Sequence, residues 1–151
     1  SAVPSRRREA IAVLPPSRHS VFVDTSGWFA LVVQRDLNHD RAVGAFNALA
    51  ASRRRLVVTN YIVAESYTLL RVRRGVEAAL GFLRRIQATA TVTTVRVEAA
   101  WEQAAEELLS RYRDHELSYT DATSFTAMRE LGLRDVLTFD TDFSVAGFQP
   151  L

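Results

Sequence analysis

From residue 20 onward, short runs of aliphatic and β-branched residues alternate with longer stretches of helical period. Each run leads into a residue able to cap a helix. Val21 to Val23 is the first such run, and Leu56 to Val58 the second. The alternating stretch at residues 89–97 contains the third, and Val136 to Phe139 is the last central one, with a short strand expected near Phe148. Between them, apolar residues recur at helical spacing. Trp28, Phe29, Leu31 and Val32 mark one helix, and Ala42, Val43, Phe46 and Leu49 mark another. A helix carrying Glu65 runs to Gly75, and Val76 to Gln87 forms the next, with Leu80, Leu83 and Ile86 expected inward. Glu98 to Tyr112 and Thr120 to Leu131 complete the set. Apolar strands in βα alternation require helices on both faces. The expected fold is therefore a three-layer α/β/α domain with a central parallel sheet of about four to five strands, spanning residues 20–151.

Residues 1–19 stand apart. They carry Arg6 to Arg8 and the Pro15–Pro16 pair without a sustained period, so they are expected to form a basic, flexible segment. The segment lacks the apolar core of a secretory signal, although its Arg-rich, acid-poor composition also fits a transit peptide. No apolar run approaches the ~20 residues of a membrane span. The absence of cysteine excludes disulfides, thiolate metal sites and a Cys nucleophile, and fits a cytoplasmic protein. All nineteen basic residues are arginine, a bias that a GC-rich genome produces by itself and that is compatible with a phosphate-bearing partner.

Four acids fall where strands or helices meet turns: Asp24 in VFVDTSG, Glu65 in NYIVAES, Asp121 in SYTDATS and Asp140 in TFDTDF. In a parallel sheet, ligands bind at the carboxyl ends of the strands. The element pattern puts Asp24 and Asp140 on that edge and starts the helices of Glu65 and Asp121 there. Clustered carboxylates repel one another unless a cation joins them, and an all-oxygen donor set selects Mg²⁺ or Mn²⁺. Each acid also has a plainer role open to it. Asp24 can cap a helix, unless Thr25 or Ser26 does so. Glu65 can pair with an arginine, Asp121 can serve a helix start, and Asp140 and Asp142 can be turn residues. His19, His39 and His115 lack the spacing of a helical zinc motif and read as exposed loop residues.

The four segments occur in order across nearly the whole chain after the tail, and together they resemble a PIN domain, the ribonuclease fold of VapC-type toxins. The resemblance implies an endoribonuclease whose catalytic, metal-binding acids are Asp24, Glu65, Asp121 and Asp140, with Asp142 adding to the metal site. It places the hydroxyls of Thr25 or Ser26 and of Thr138 around those acids. It further implies Mg²⁺ or Mn²⁺ as cofactor, RNA as substrate, an antitoxin protein as partner, and a homodimer. The basic N-terminal segment departs from the family's compact form. A PIN-like binding or interaction module with little catalysis is the alternative, disfavoured because a binder has no need of acids facing phosphate. A phosphatase would need an Asp nucleophile in a DxD pattern, and Ser26 stands two positions after Asp24. On the substrate side, Arg53 to Arg55 read as solvated or paired surface. Arg71, Arg73 and Arg74 lie at the far end of the Glu65 helix and suit a dimer or partner surface. Trp28 reads as core, whereas Tyr61 and Tyr119 lie near the acids.

Overall fold

The computed structural model describes residues 15–151, so Arg6 to Arg8 and most of the expected N-terminal segment lie outside the described residues. Five strands, β1 (Val21–Val23), β2 (Leu56–Thr59), β3 (Val92–Val95), β4 (Asp135–Leu137) and β5 (Gln149–Pro150), form one sheet in the order β3-β2-β1-β4-β5. Every pairing is parallel, with Phe22 set against both Val57 and Val136. Pro150, which lacks an N–H, is accommodated because β5 is an edge strand. The connecting helices are α1 (Thr25–Val32), α2 (His39–Ala51), α3 (Asn60–Arg74), α4 (Val76–Ala88), α5 (Ala99–Arg111) and α6 (Tyr119–Glu130), with the single turn α7 (Asp142–Val145) after β4. Together they make the three-layer α/β/α arrangement expected from the pattern.

The central strands are covered on both faces, which is why their sequences are continuously apolar rather than alternating. Val21, Phe22, Val23, Val57, Val58 and Val136 have no exposed surface. Trp28 is buried against Phe46 and Phe82, with ring centroids 5.1 and 5.8 Å away, in the core role expected of it. At the other end of the sheet, Phe143 packs edge-on against Phe125 at 4.9 Å.

Three local expectations are corrected. Leu80 is not inward: the buried stripe of α4 is Ala79, Phe82 and Ile86, and Leu80 falls beside it at the surface. Helix α6 opens at Tyr119 rather than Thr120, because Ser118 and Asp121 close a reciprocal capping box around its first turn. The Asp140–Phe143 turn continues into α7 instead of remaining a turn.

The chain steps outward from β1 to β2 and β3 in one direction and then returns to β4 and β5 on the other side of β1, so the order reverses between β1 and β4. Such a switch point leaves a crevice beyond the strand ends. One glycine lets the first helix sit close over it. A Cβ on Gly27 would lie 2.8 Å from both the Leu137 carbonyl oxygen and a Leu137 methyl, and 3.1 Å from Val23. Gly27→Ala is therefore expected to push α1 off β4 and lower stability by about 1–3 kcal/mol in urea denaturation, the usual range for overpacking. Wild-type stability in that variant would contradict the close approach.

Candidate metal centre

The crevice is lined by acids from four separate elements. Asp24 follows β1, Glu65 lies in the second turn of α3, Asp121 in the first turn of α6, and Asp140 follows β4. All four line one cavity of about 190 Å³ together with Thr25 and Ser26. Asp142 extends the group, and carboxylate oxygens of Asp121, Asp140 and Asp142 lie within 4.8 Å of one another. Asp24 and Glu65 share the cavity but stand outside that tightest trio.

Asp24 carries two duties that the sequence left as alternatives. Its Oδ1 caps α1 by accepting the Gly27 N–H at 3.0 Å, and also accepts the Ser26 hydroxyl at 2.7 Å. Its Oδ2 accepts the Thr138 hydroxyl at 2.8 Å. Neither Thr25 nor Ser26 replaces it as the cap. Ser26 instead ties the β1 and β4 ends together by accepting the Phe139 N–H at 2.9 Å. Thr138 does the same for two acids, since its oxygen also accepts the Asp140 N–H at 2.9 Å. Each carboxylate oxygen has more than one lone pair, so capping and cation binding are compatible.

Glu65 is placed by the start of α3, where the Thr59 hydroxyl accepts the Ile62 N–H at 3.1 Å. Asp121 is fixed by the Ser118 box: its Oδ2 accepts the Ser118 N–H at 3.1 Å, and Ser118 accepts the Asp121 N–H at 3.0 Å. Asp140 Oδ1 accepts the Asp142 N–H at 2.9 Å, an Asx turn that sets the two acids side by side. Ser118 was missed in the sequence although the S-x-x-D pattern ahead of an apolar run signals such a box.

The electrostatics record crowding of like charge. Burial pushes the Asp24 carboxyl up to about 6, against hydrogen bonds from Ser26, Gly27 and Thr138, with Asp140 adding a smaller upward push. Asp121 is raised by burial and, less strongly, by Asp140 and Glu65. Asp142 is raised by burial and by Asp140, while His115 opposes the shift. Asp140 is thus the carboxylate that all three others feel. The arrangement fits a divalent cation: every donor is oxygen, the carboxylates converge from separate elements, and the buried Thr25 hydroxyl beside them has no protein partner.

The arginines sort by position. Arg54 pairs with Asp135 at 2.7 Å and Arg55 donates to the Ala90 carbonyl, both at the strand starts, the edge opposite the acids. This is the paired-surface role expected for Arg53 to Arg55. Arg73 borders an open groove that also includes Glu65, Tyr61 and Thr120. Tyr61 and Tyr119 pack at a tilt with centroids 5.5 Å apart, and Tyr61 donates to Glu102. Arg41 lies over the ring of Phe139, the residue preceding Asp140, 5.2 Å from its centroid. Nothing in the sequence pattern pointed to Arg41.

The chain is similar to known proteins over most of its length. Residues 21–149 match the PIN domain family. The chain is 40% identical over 129 residues to the 23S rRNA-specific endonuclease VapC20 of Mycobacterium tuberculosis, covering 85% of this chain and 95% of that protein. It is 28% identical over 128 residues to a VapC ribonuclease of Archaeoglobus fulgidus, covering 83% and 80%. The crystal structure of M. tuberculosis VapC20, described as a sarcin-ricin loop cleaving toxin, superposes with a TM-score of 0.79 at 38% identity, over 87% of this chain and 98% of that one.

Proposed function

This chain belongs to the PIN-domain family as a VapC-type toxin ribonuclease, and from that premise we propose its site, its ion and its target. Asp24, Glu65, Asp121 and Asp140 are the catalytic metal-binding acids, and Asp142 adds a fifth carboxylate. The ion is Mg²⁺ or Mn²⁺. The substrate is a structured ribosomal RNA of the kind named for VapC20, the sarcin-ricin loop of 23S rRNA. The observation that carries this reading is the convergence of carboxylates from four separate elements on the switch point between β1 and β4.

A bound divalent cation supplies water activation and neutralises charge developing on the phosphodiester. The protein's own part is positional. Asp24 and Asp140, held by the shared Thr138 hydroxyl, approach from the two strand ends, while Glu65 and Asp121 approach from the two helix starts. A binding module without catalysis is disfavoured, because five carboxylates with no cation would repel an RNA backbone.

The test is incubation of an RNA stem-loop bearing the 23S sarcin-ricin sequence with the protein in Mg²⁺, Mn²⁺ or EDTA. One mapped cut with either ion and none in EDTA is expected. Equal cutting of unrelated stem-loops would remove the target assignment, and cutting in EDTA would remove the metal. Thr138→Val should keep the fold, because valine is isosteric and β-branched, yet weaken Mn²⁺ binding by about 10–100-fold through lost orientation of Asp24 and Asp140. Calorimetric titration reads that change directly; unaltered affinity would leave Thr138 a merely structural residue.

The exposed apolar side chains Val72, Val76 and Leu80, at the end of α3 and along α4, support the homodimer expected from the family. An antitoxin protein laid over the acids is the matching regulatory partner. Among the described residues no helix is long and apolar enough to cross a membrane. A ribosomal RNA target supports a cytoplasmic location for the enzyme.

A further inference from the structure

Asp142 borders a second cavity, of about 100 Å³, that the metal centre does not use. It lies among α5, α6 and α7, and its inner surface is apolar. Leu108 and Phe125 are 8% and 4% exposed, and half-buried Leu117 joins them. An apolar hollow open to solvent forfeits dispersion contacts and is a poor feature to keep for stability alone. Its rim is of different chemistry. Tyr112 is 41% exposed and meets the His115 ring edge-on at 6.0 Å, and the Arg129 guanidinium completes the lining. Aromatic faces, a guanidinium and a carboxylate around an apolar floor are the groups that hold an unstacked base and read its edge.

Resting on the ribonuclease reading above, we propose that this cavity receives one nucleobase of the substrate RNA, flipped out beside the scissile phosphate. Asp142 supplies the connection. Its carboxylate lies within 4.8 Å of those of Asp121 and Asp140, so a phosphate at the acids leaves its neighbouring base at the cavity mouth. The charge pattern agrees, because the Arg129 guanidinium puts a cation on the side where the RNA backbone leaves a strongly acidic crevice. The small volume admits one base, not a stacked pair. The cavity is therefore a specificity-determining subsite: it selects RNA whose nucleotide next to the cut is unpaired or easily unstacked.

The experiment is an abasic scan of the stem-loop cut in the function assay, with wild type, Ala146→Leu and Tyr112→Ala. Ala146 lines the cavity, and a leucine there would fill it; Tyr112, largely at the surface, guards against a variant that simply misfolds. With wild type, removing the base at one position flanking the cut should slow cleavage on the order of tenfold, the usual weight of one stacked base. Both variants should show a similar loss on intact RNA and no further loss on that abasic RNA, the non-additivity of two changes to one contact. Equal abasic penalties in wild type and variants would overturn the subsite and leave the cavity to a protein side chain. So would the absence of any sensitive position. Failure of wild type to cut the intact RNA would remove the ribonuclease reading first, and the subsite with it.

Discussion

Asp140→Asn is expected to abolish metal-dependent RNA cleavage, by about a thousandfold or more, while making the metal-free protein slightly more stable. Asp140 is the carboxylate that contributes to the raised pKa of Asp24, Asp121 and Asp142 alike. Asparagine retains its shape and can still accept the Asp142 N–H through Oδ1, so the Asx turn survives. What is lost is a negative charge that balances the cation. Several kcal/mol of transition-state stabilisation depend on that balance, and ~4 kcal/mol corresponds to about three orders of magnitude in rate. In EDTA the same change relieves repulsion, and a gain of ~1 kcal/mol would raise Tm by roughly 2–4 °C in a domain of this size. Cleavage retained above a tenth of wild type would remove Asp140 from the chemistry. An unchanged Tm in EDTA would show that the acids do not strain the fold.

Stability of the metal-free protein should fall as pH rises from about 4 to above 6, and added Mn²⁺ should cancel the fall. The Asp24 carboxyl goes from 3.8 to about 6 on folding, chiefly by burial. A raised folded-state pKa means that the native state holds the proton more tightly. The stabilisation is therefore complete below the unfolded value and lost as pH climbs through about 6. A rise of that size corresponds to roughly 3 kcal/mol. Asp121 and Asp142 are raised as well and act in the same sense. Asp135 acts oppositely: although burial pushes it up, its bonds to Arg54 and Arg134 hold it low, so its contribution is lost toward acid pH. Urea titrations of wild type and Asp24→Asn from pH 4 to 7.5 separate these effects. The difference between the two proteins should track Asp24 alone. With Mn²⁺ present, binding requires the deprotonated carboxylate and stabilises the native state at the high-pH end. A pH-independent difference would mean that Asp24 is ordinarily ionised and solvated.

Much of this was legible in the sequence because two levels of pattern agree. Apolar triplets such as Val21 to Val23 signal strands buried on both faces, and parallel order then forces every strand end to one edge. Placing Asp24 and Asp140 on that edge needed nothing further. Glu65 and Asp121 followed because their helices begin where strands or loops arrive from that side. What the pattern did not convey is chemistry that depends on three-dimensional proximity. Ser26 and Thr138, which only the family resemblance set around the acids, each bridge the β1 and β4 ends over separations of 113 and 114 residues, through bonds that no local spacing encodes. Asp24 proved to be both helix cap and acid-site member, alternatives that sequence weighs against each other but lone-pair geometry allows together. Leu80 was misplaced because an amphipathic stripe about a hundred degrees wide has edges, and a leucine at the edge looks like one at the centre. Arg41, His115 and the cavity beside Asp142 come from loops and helix ends, where periodicity carries no signal.

The most direct measurement is an anomalous difference map from crystals soaked in Mn²⁺ at neutral pH. A peak within coordination distance of Asp140 and of at least two among Asp24, Glu65, Asp121 and Asp142 is expected. No peak in the crevice at saturating Mn²⁺, or ions bound only elsewhere on the surface, would contradict the assignment of these five acids as the metal centre.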